Sequence, residues 1–137
     1  MSPADWERSR LGGANQRRRA RMAKWFSIGC GLVLLLLGLW GMLAADPYQF
    51  LVFGTSPAQN VLHILSGGLA LIAGMSRPRW AVLACLALGA LYGLLAVLGF
   101  MGARPAIEAL HLARTNDYLH LVIGVGGLWA GGSAKGA

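Results

Sequence analysis

Residues 25–45 read WFSIGCGLVLLLLGLWGMLAA. These 21 residues carry no charge, and a helix needs about 20 predominantly apolar residues to cross a bilayer. Asp46-Pro47 closes the run, since proline cannot continue a helix and aspartate is costly in hydrocarbon. A secretory signal has an apolar core of only about 7–15 residues, so this stretch reads as a permanent span. Three more apolar runs follow. The second is closed by Ser76-Arg77-Pro78-Arg79, the third begins at Trp80, and the fourth and shortest runs from Tyr118 to Gly132 with polar ends that extend it. The pattern predicts an all-α fold: a four-transmembrane-helix bundle over residues 25–134 with spans at about 25–45, 58–75, 80–103 and 116–133. Residues 1–24 precede it as a basic tail.

Composition agrees. The 137 residues are 56% hydrophobic and 12% charged, about half the charged share of an ordinary soluble domain, which is about 25%. Ions this sparse cannot cover a globule's surface. The net charge of +7 sits in the wrong place for a nucleic-acid-binding face. Seven of the twelve basic residues precede Trp25, among them Arg17, Arg18, Arg19, Arg21 and Lys24. That is an orientation signal and a contact for anionic lipid head groups, and no nucleic-acid partner is expected. With the N-terminus inside, ten Lys and Arg fall on the cytoplasmic side and only Arg104 and Arg114 outside. The positive-inside rule therefore predicts a multi-pass protein of the inner (cytoplasmic) membrane with both termini in the cytoplasm. Trp25, Trp80 and Trp129 mark one interface and Trp40, Tyr48 and Tyr118 the other.

The connections have features of their own. Ser2 suits an N-cap with Asp5 at N3, opening a short helix that Gly12-Gly13 is expected to end. Residues 46–57 carry the apolar patch Phe50-Leu51-Val52-Phe53. Residues 104–114 read as a short interfacial helix with Pro105 at its first position and Arg104 and Glu108 at pairing distance.

The second and fourth spans resemble each other at an offset of 57 residues. His63 falls on His120, Gly67 on Gly124, Ala70 on Gly127 and Gly74 on Gly131. His and three small residues thus recur on one helical face, with Asn60 and Asn116 about a turn before each His. Both halves enter from the same side, so the repeat is parallel. Small residues let helix backbones approach in lipid, and the shared face predicts contact between the second and fourth spans. Gly89-x-x-x-Gly93 and Gly127-x-x-x-Gly131 fit the same packing.

His63 and His120 would then face each other at equal depth. One reading is a polar lock in which Asn60, His63, Asn116 and His120 tie the outer bundle end together, since buried polar groups in a membrane need partners. The alternative is cofactor binding, with the two imidazoles clamping a haem b iron or each holding a (bacterio)chlorophyll magnesium. The lock is preferred, and no cofactor or metal is expected. Cys30 and Cys85 lie inside apolar runs without metal-ligand spacing and read as packing residues. His111 reads as a solvated loop residue. No catalytic residues are expected, because no phosphate loop, nucleophile motif or HExxH occurs. Asp46 and Asp117 are read as helix ends, which leaves no acid inside an apolar run and disfavours a pump or transporter.

Three stretches together resemble a known family: Phe53-Gly54-Thr55 leading into Asn60-Val61-Leu62-His63 and Gly67; Gly89-Ala90-Leu91-Tyr92-Gly93 through Gly99; and Asn116-Asp117-Tyr118-Leu119-His120 with Gly124. Over roughly residues 25–132 the chain resembles the four-helix bacterial membrane proteins known as domain of unknown function 4383. That resemblance implies a membrane fold and no established reaction. The expected role is therefore a non-enzymatic accessory or scaffold subunit of a larger membrane complex, respiratory or photosynthetic, whose partners are lipids and other membrane subunits.

Overall fold

The computed structural model describes residues 2–43, 56–103 and 114–134. They form four α-helices, with no strand among the described residues: α1 (Pro3–Leu43), α2 (Pro57–Met75), α3 (Pro78–Phe100) and α4 (Arg114–Ala134). The loop patch at 50–53, the interfacial helix expected at 104–114 up to Arg114, and His111 lie outside the described residues.

The helix ends follow local chemistry. Ser56 caps α2, its hydroxyl accepting from the Gln59 amide at 3.1 Å, and Pro57 occupies the first turn. Pro78 likewise occupies the first turn of α3, after Arg77, which makes no side-chain capping bond. α3 stops at Phe100, short of the expected 103, because Gly102 adopts φ +68° and the Ala103 amide turns back to the Leu98 carbonyl at 3.0 Å. That left-handed position after a helix is one glycine takes without strain.

α1 departs from expectation. Ser2 and Asp5 do cap each other, with Ser2 Oγ donating to the Asp5 carboxylate at 2.7 Å. These bonds hold the Asp5 carboxyl below its ordinary pKa, so the cap is intact above that range and weakens as pH falls through it. Gly12-Gly13 does not end the helix, which runs unbroken for 41 residues. Each glycine costs about 1 kcal/mol in a helix interior, but strong helix formers follow at residues 14–24. Once a span has nucleated the helix, each added residue gains a hydrogen bond at little further cost. The basic tail and the first span are one rod.

α1, α2 and α3 are long and apolar enough to cross a membrane. α4 has 21 residues, enough length, but its polar first turn and five glycines make it less apolar. Large apolar side chains such as Leu36, Leu65, Leu69, Ile72, Leu94 and Val122 lie on the outside. An apolar exterior this extensive is the construction of a protein surrounded by lipid.

The pairing of helices corrects the sequence reading. α1 packs along α2 and α3 along α4, with lesser contacts of α1 to α3 and α4 and of α2 to α3. α2 and α4 lie on the diagonal. A Cβ added at Gly67 would lie 2.7 Å from the Leu35 amide nitrogen, and one at Gly74 2.7 Å from Ile28 Cγ1. Both neighbours are on α1. On α4, a Cβ at Gly124 would lie 2.7 Å from Gly93 Cα, one at Gly127 2.6 Å from the Cys85 carbonyl and one at Gly131 2.7 Å from Leu86 Cγ, all on α3. Ala70 is buried beside α1, its carbonyl accepting from Ser27 Oγ at 2.7 Å. A small-residue face permits close approach by any backbone, and here each is met by the preceding helix of its own hairpin.

That partner has a matching face. α1 buries Ala23, Ser27, Gly31, Leu34, Gly38 and Gly41. A shift of 58 residues carries them onto Ala81, Cys85, Gly89, Tyr92, Ala96 and Gly99, of which all but the half-buried Gly99 are buried on α3. The repeat thus includes both helices of each hairpin, and the two hairpins are related by a pseudo-two-fold axis. Between them Leu34, Ala70, Leu88, Tyr92, Leu95 and Ile123 form the apolar core. Cys85 is buried and donates to the Ala23 carbonyl at 3.2 Å.

Candidate functional site

The residues that break the apolar pattern gather where α2 and α4 begin. Ser56, Gln59, Asn60 and His63 of α2 are buried, as are Asn116, Asp117 and His120 of α4. The offset of 57 sets Gln59 on Asn116, Asn60 on Asp117 and His63 on His120, a finer register than pairing Asn60 with Asn116. Equivalent residues meet across the pseudo-axis. The Asn116 amide donates to Gln59 Oε1 at 3.1 Å. One turn deeper, the His63 and His120 rings stand 6.2 Å apart between centroids, steeply tilted at 75°. α2 and α4 therefore meet through polar side chains at this one end, while their backbones are held by other helices.

Tyr92 completes the cluster and breaks its symmetry, since Leu34 occupies the equivalent position. Its ring lies 6.1 Å from His63 and 5.2 Å from His120. Its hydroxyl shares a hydrogen bond of 2.8 Å with Ser66 Oγ, which also donates to the Leu62 carbonyl. The glycines under the layer are matched too: Gly41 packs against the Asn60 side chain and Gly99 against the Asp117 carboxylate. A Cβ at either place would require the Asn60 or Asp117 side chain to shift. Asp117 is in the first turn of α4, where the positive end of the helix dipole favours a carboxylate. Asp117 stands at the helix end, as expected, and is also 2% exposed and part of the layer.

The direct bonds expected of the histidines are not made. Among the described residues, neither nitrogen of His63 or His120 has a hydrogen-bond partner, and the Asn60 side chain has none. A buried polar atom left unpaired costs about 1–3 kcal/mol, so this layer offers donors and acceptors to a small polar guest such as ordered water. Among the described residues no three His, Cys, Asp or Glu are grouped to hold a metal ion.

Sequence reasoning brought forward Asn60, His63, Asn116 and His120 and missed Gln59, Ser66, Tyr92 and Asp117. The 57-residue register could have found Gln59 and Asp117 as the mates of Asn116 and Asn60. Tyr92 appeared only within a stretch that resembles the family, and the internal repeat did not mark it as part of the polar layer, because its mate is a leucine.

Arg17, Arg18, Arg19, Arg21 and Lys24 lie at the opposite end, where α1 leaves the bundle. Arg19 Nη1 donates to the Ser133 carbonyl at 3.2 Å, which ties the rod to the end of α4.

Two apolar helical hairpins joined by a closed polar layer define a small helical membrane protein with an internal repeat. The chain belongs to the family described as Domain of unknown function (DUF4383), whose model matches residues 44–132. The match takes in α2, α3 and α4, and α1 precedes it. No characterised protein and no solved structure matches the chain.

Proposed function

We propose that the protein is a non-enzymatic accessory subunit, a membrane anchor that presents a helical arm to a larger membrane complex. The observation that carries this reading is the stretch of α1 that extends past the bundle. From Pro3 to Arg18 the helix runs about 24 Å at 1.5 Å per residue, and Trp6 and Leu11 on it are 54% and 60% exposed. Large apolar side chains left exposed on a polar helix outside the bilayer are disfavoured in water, so an arm bearing Trp6 and Leu11 suits a docked surface. The sequence carries no catalytic motif, which supports a non-enzymatic role. Deleting residues 2–16 should leave membrane insertion intact and reduce recovery of partner subunits on purification from native membranes. Equal recovery of the same partners would remove the docking role.

The proposed setting is the inner membrane with the arm and both termini in the cytoplasm, supported by the ten-to-two distribution of basic residues. A cysteine placed at Ala106 should react with a membrane-impermeant thiol reagent added outside intact cells, and one at Ser76 should not. The opposite labelling would reverse the topology.

The unpartnered imidazoles favour a second reading, a haem b or (bacterio)chlorophyll bound by His63 and His120. Its difficulty is steric. With Tyr92 within 5.2 and 6.1 Å of the two rings, the space beside the midpoint between them is taken, and a macrocycle needs that space. We retain the lock as the proposed role of this layer, which the bond from Asn116 to Gln59 across the pseudo-axis supports.

A further inference from the structure

Where the arm joins the bundle, α1 and α4 leave a groove of about 560 Å³ lined by Arg18, Arg21, Trp25, Phe26, Trp129 and Ala130. Its mouth is cationic and its floor apolar. Trp25 and Trp129 are 71% and 63% exposed, so two indoles flank the entrance as aromatic rings do at a bilayer interface. The Arg19–Ser133 bond fixes the angle between the arm and α4, which holds Arg18 and Arg21 on a rigid helix beside the groove.

The internal repeat supplies a control within the same molecule. The equivalent cleft, between α3 and α2, has a volume of about 380 Å³ and is lined by apolar residues such as Leu69, Ala73, Trp80, Leu83 and Ala84, with Ser66 at one end. The 58-residue shift carries Trp25 and Phe26 onto Leu83 and Ala84, and the 57-residue shift relates Ala130 to Ala73. The 58-residue shift also carries Arg18 onto Ser76. Arg79, the mate of Arg21, lies over the Trp80 ring at 5.3 Å and does not line that cleft. Packing of hairpins opens both clefts, and only one of them is given cations.

We propose that the α1/α4 groove is a specific site for one anionic phospholipid, its phosphate held by Arg18 and Arg21 and an acyl chain lying along Phe26 and Ala130. Guanidinium groups match phosphate oxygens in a two-pronged geometry, and a basic recess between membrane helices is the recognised setting for such head groups. The site needs only the lipid itself and does not depend on the partner complex, so it stands or fails separately from the docking role.

The test uses the full-length protein in neutral detergent micelles doped equally with phosphatidylglycerol and phosphatidylcholine, read by native mass spectrometry. Wild type should retain one phosphatidylglycerol per chain in preference to phosphatidylcholine. The double variant Arg18→Gln/Arg21→Gln should lower that occupancy by about tenfold or more, from the contribution of two cations near a head group. Arg8→Gln/Arg10→Gln removes the same charge farther along the arm and should leave occupancy unchanged. Circular dichroism of both doubles checks that the helix persists, as glutamine allows. Equal loss in the two doubles would mean diffuse attraction to a basic arm, and retention in Arg18→Gln/Arg21→Gln would place the lipid elsewhere; either result overturns the site.

Discussion

Gly124→Leu should destabilise the bundle by about 1–3 kcal/mol, the cost of forcing a side chain into a closed contact. The reason lies in the α3/α4 interface. A Cβ at position 124 would already stand 2.7 Å from both the Cα and the amide nitrogen of Gly93. Backbone on both sides leaves no side chain able to move aside, so α3 and α4 must separate and give up dispersion contacts along the interface. Gly132→Leu is the matched control, since a Cβ there meets nothing within 4 Å. It should melt within about 0.5 kcal/mol of wild type, as exposed substitutions do. Equal destabilisation of the two variants in a detergent unfolding titration would remove the case for a packing face.

The same logic separates the observed helix pairing from the one suggested by sequence. Gly74 meets Ile28 and Lys24 of α1, whereas Gly131 meets Leu86 of α3. With no shared neighbour, Gly74→Leu and Gly131→Leu should act additively, within about 0.3–0.5 kcal/mol. If α2 and α4 met along these glycines, the first substitution would open the contact and the second would cost much less.

The contrast explains what was legible in the chain. The span at 25–45 is stated by its own residues, because charge exclusion from hydrocarbon leaves little else that 21 uncharged residues could be. The 57-residue echo of His63 in His120 revealed two related hairpins. The partner of each small-residue face was not legible. Gly67 and Gly124 announce that a backbone comes close and carry no mark of which one. The answer lay in a second echo, Ala23, Ser27 and Gly31 in Ala81, Cys85 and Gly89, blurred by Ser/Cys exchange and by the leucines around it. Gly12-Gly13 misled for a different reason: a local breaker of about 1 kcal/mol per glycine is outweighed when a membrane span has already nucleated the helix. In the polar layer, His and Asn stood out against apolar neighbours. Tyr92 did not, because a tyrosine in an apolar run reads as core until its hydroxyl is seen against Ser66.

His120→Leu should cost about 1–2 kcal/mol, whereas His120→Gln should stay close to wild type. The imidazole of His120 is fully buried, 5.2 Å from the Tyr92 ring and 6.2 Å from that of His63. Leucine fills similar space but brings no donor or acceptor to a layer that already includes Gln59, Asn60, His63 and Asn116. Any guest bridging these groups loses one contact, and a buried group left short costs about 1–3 kcal/mol. Measured interhelical polar contacts in membrane proteins lie lower, about 0.6–2 kcal/mol, which sets the smaller figure. Glutamine restores both a donor and an acceptor at nearly the same reach, so a hydrogen-bonding role survives it. An axial-ligand role does not, because an amide is a poor substitute for an imidazole nitrogen on haem iron or chlorophyll magnesium. Two readouts on the same variants therefore divide the readings. Thermal melting that ranks wild type near His120→Gln and above His120→Leu, with no visible absorption in any of them, is the expected result for the lock. A Soret or chlorophyll band in wild type that disappears in both His63→Gln and His120→Gln would transfer the pair from structure to cofactor binding, and would require Tyr92 to leave its place beside the two rings.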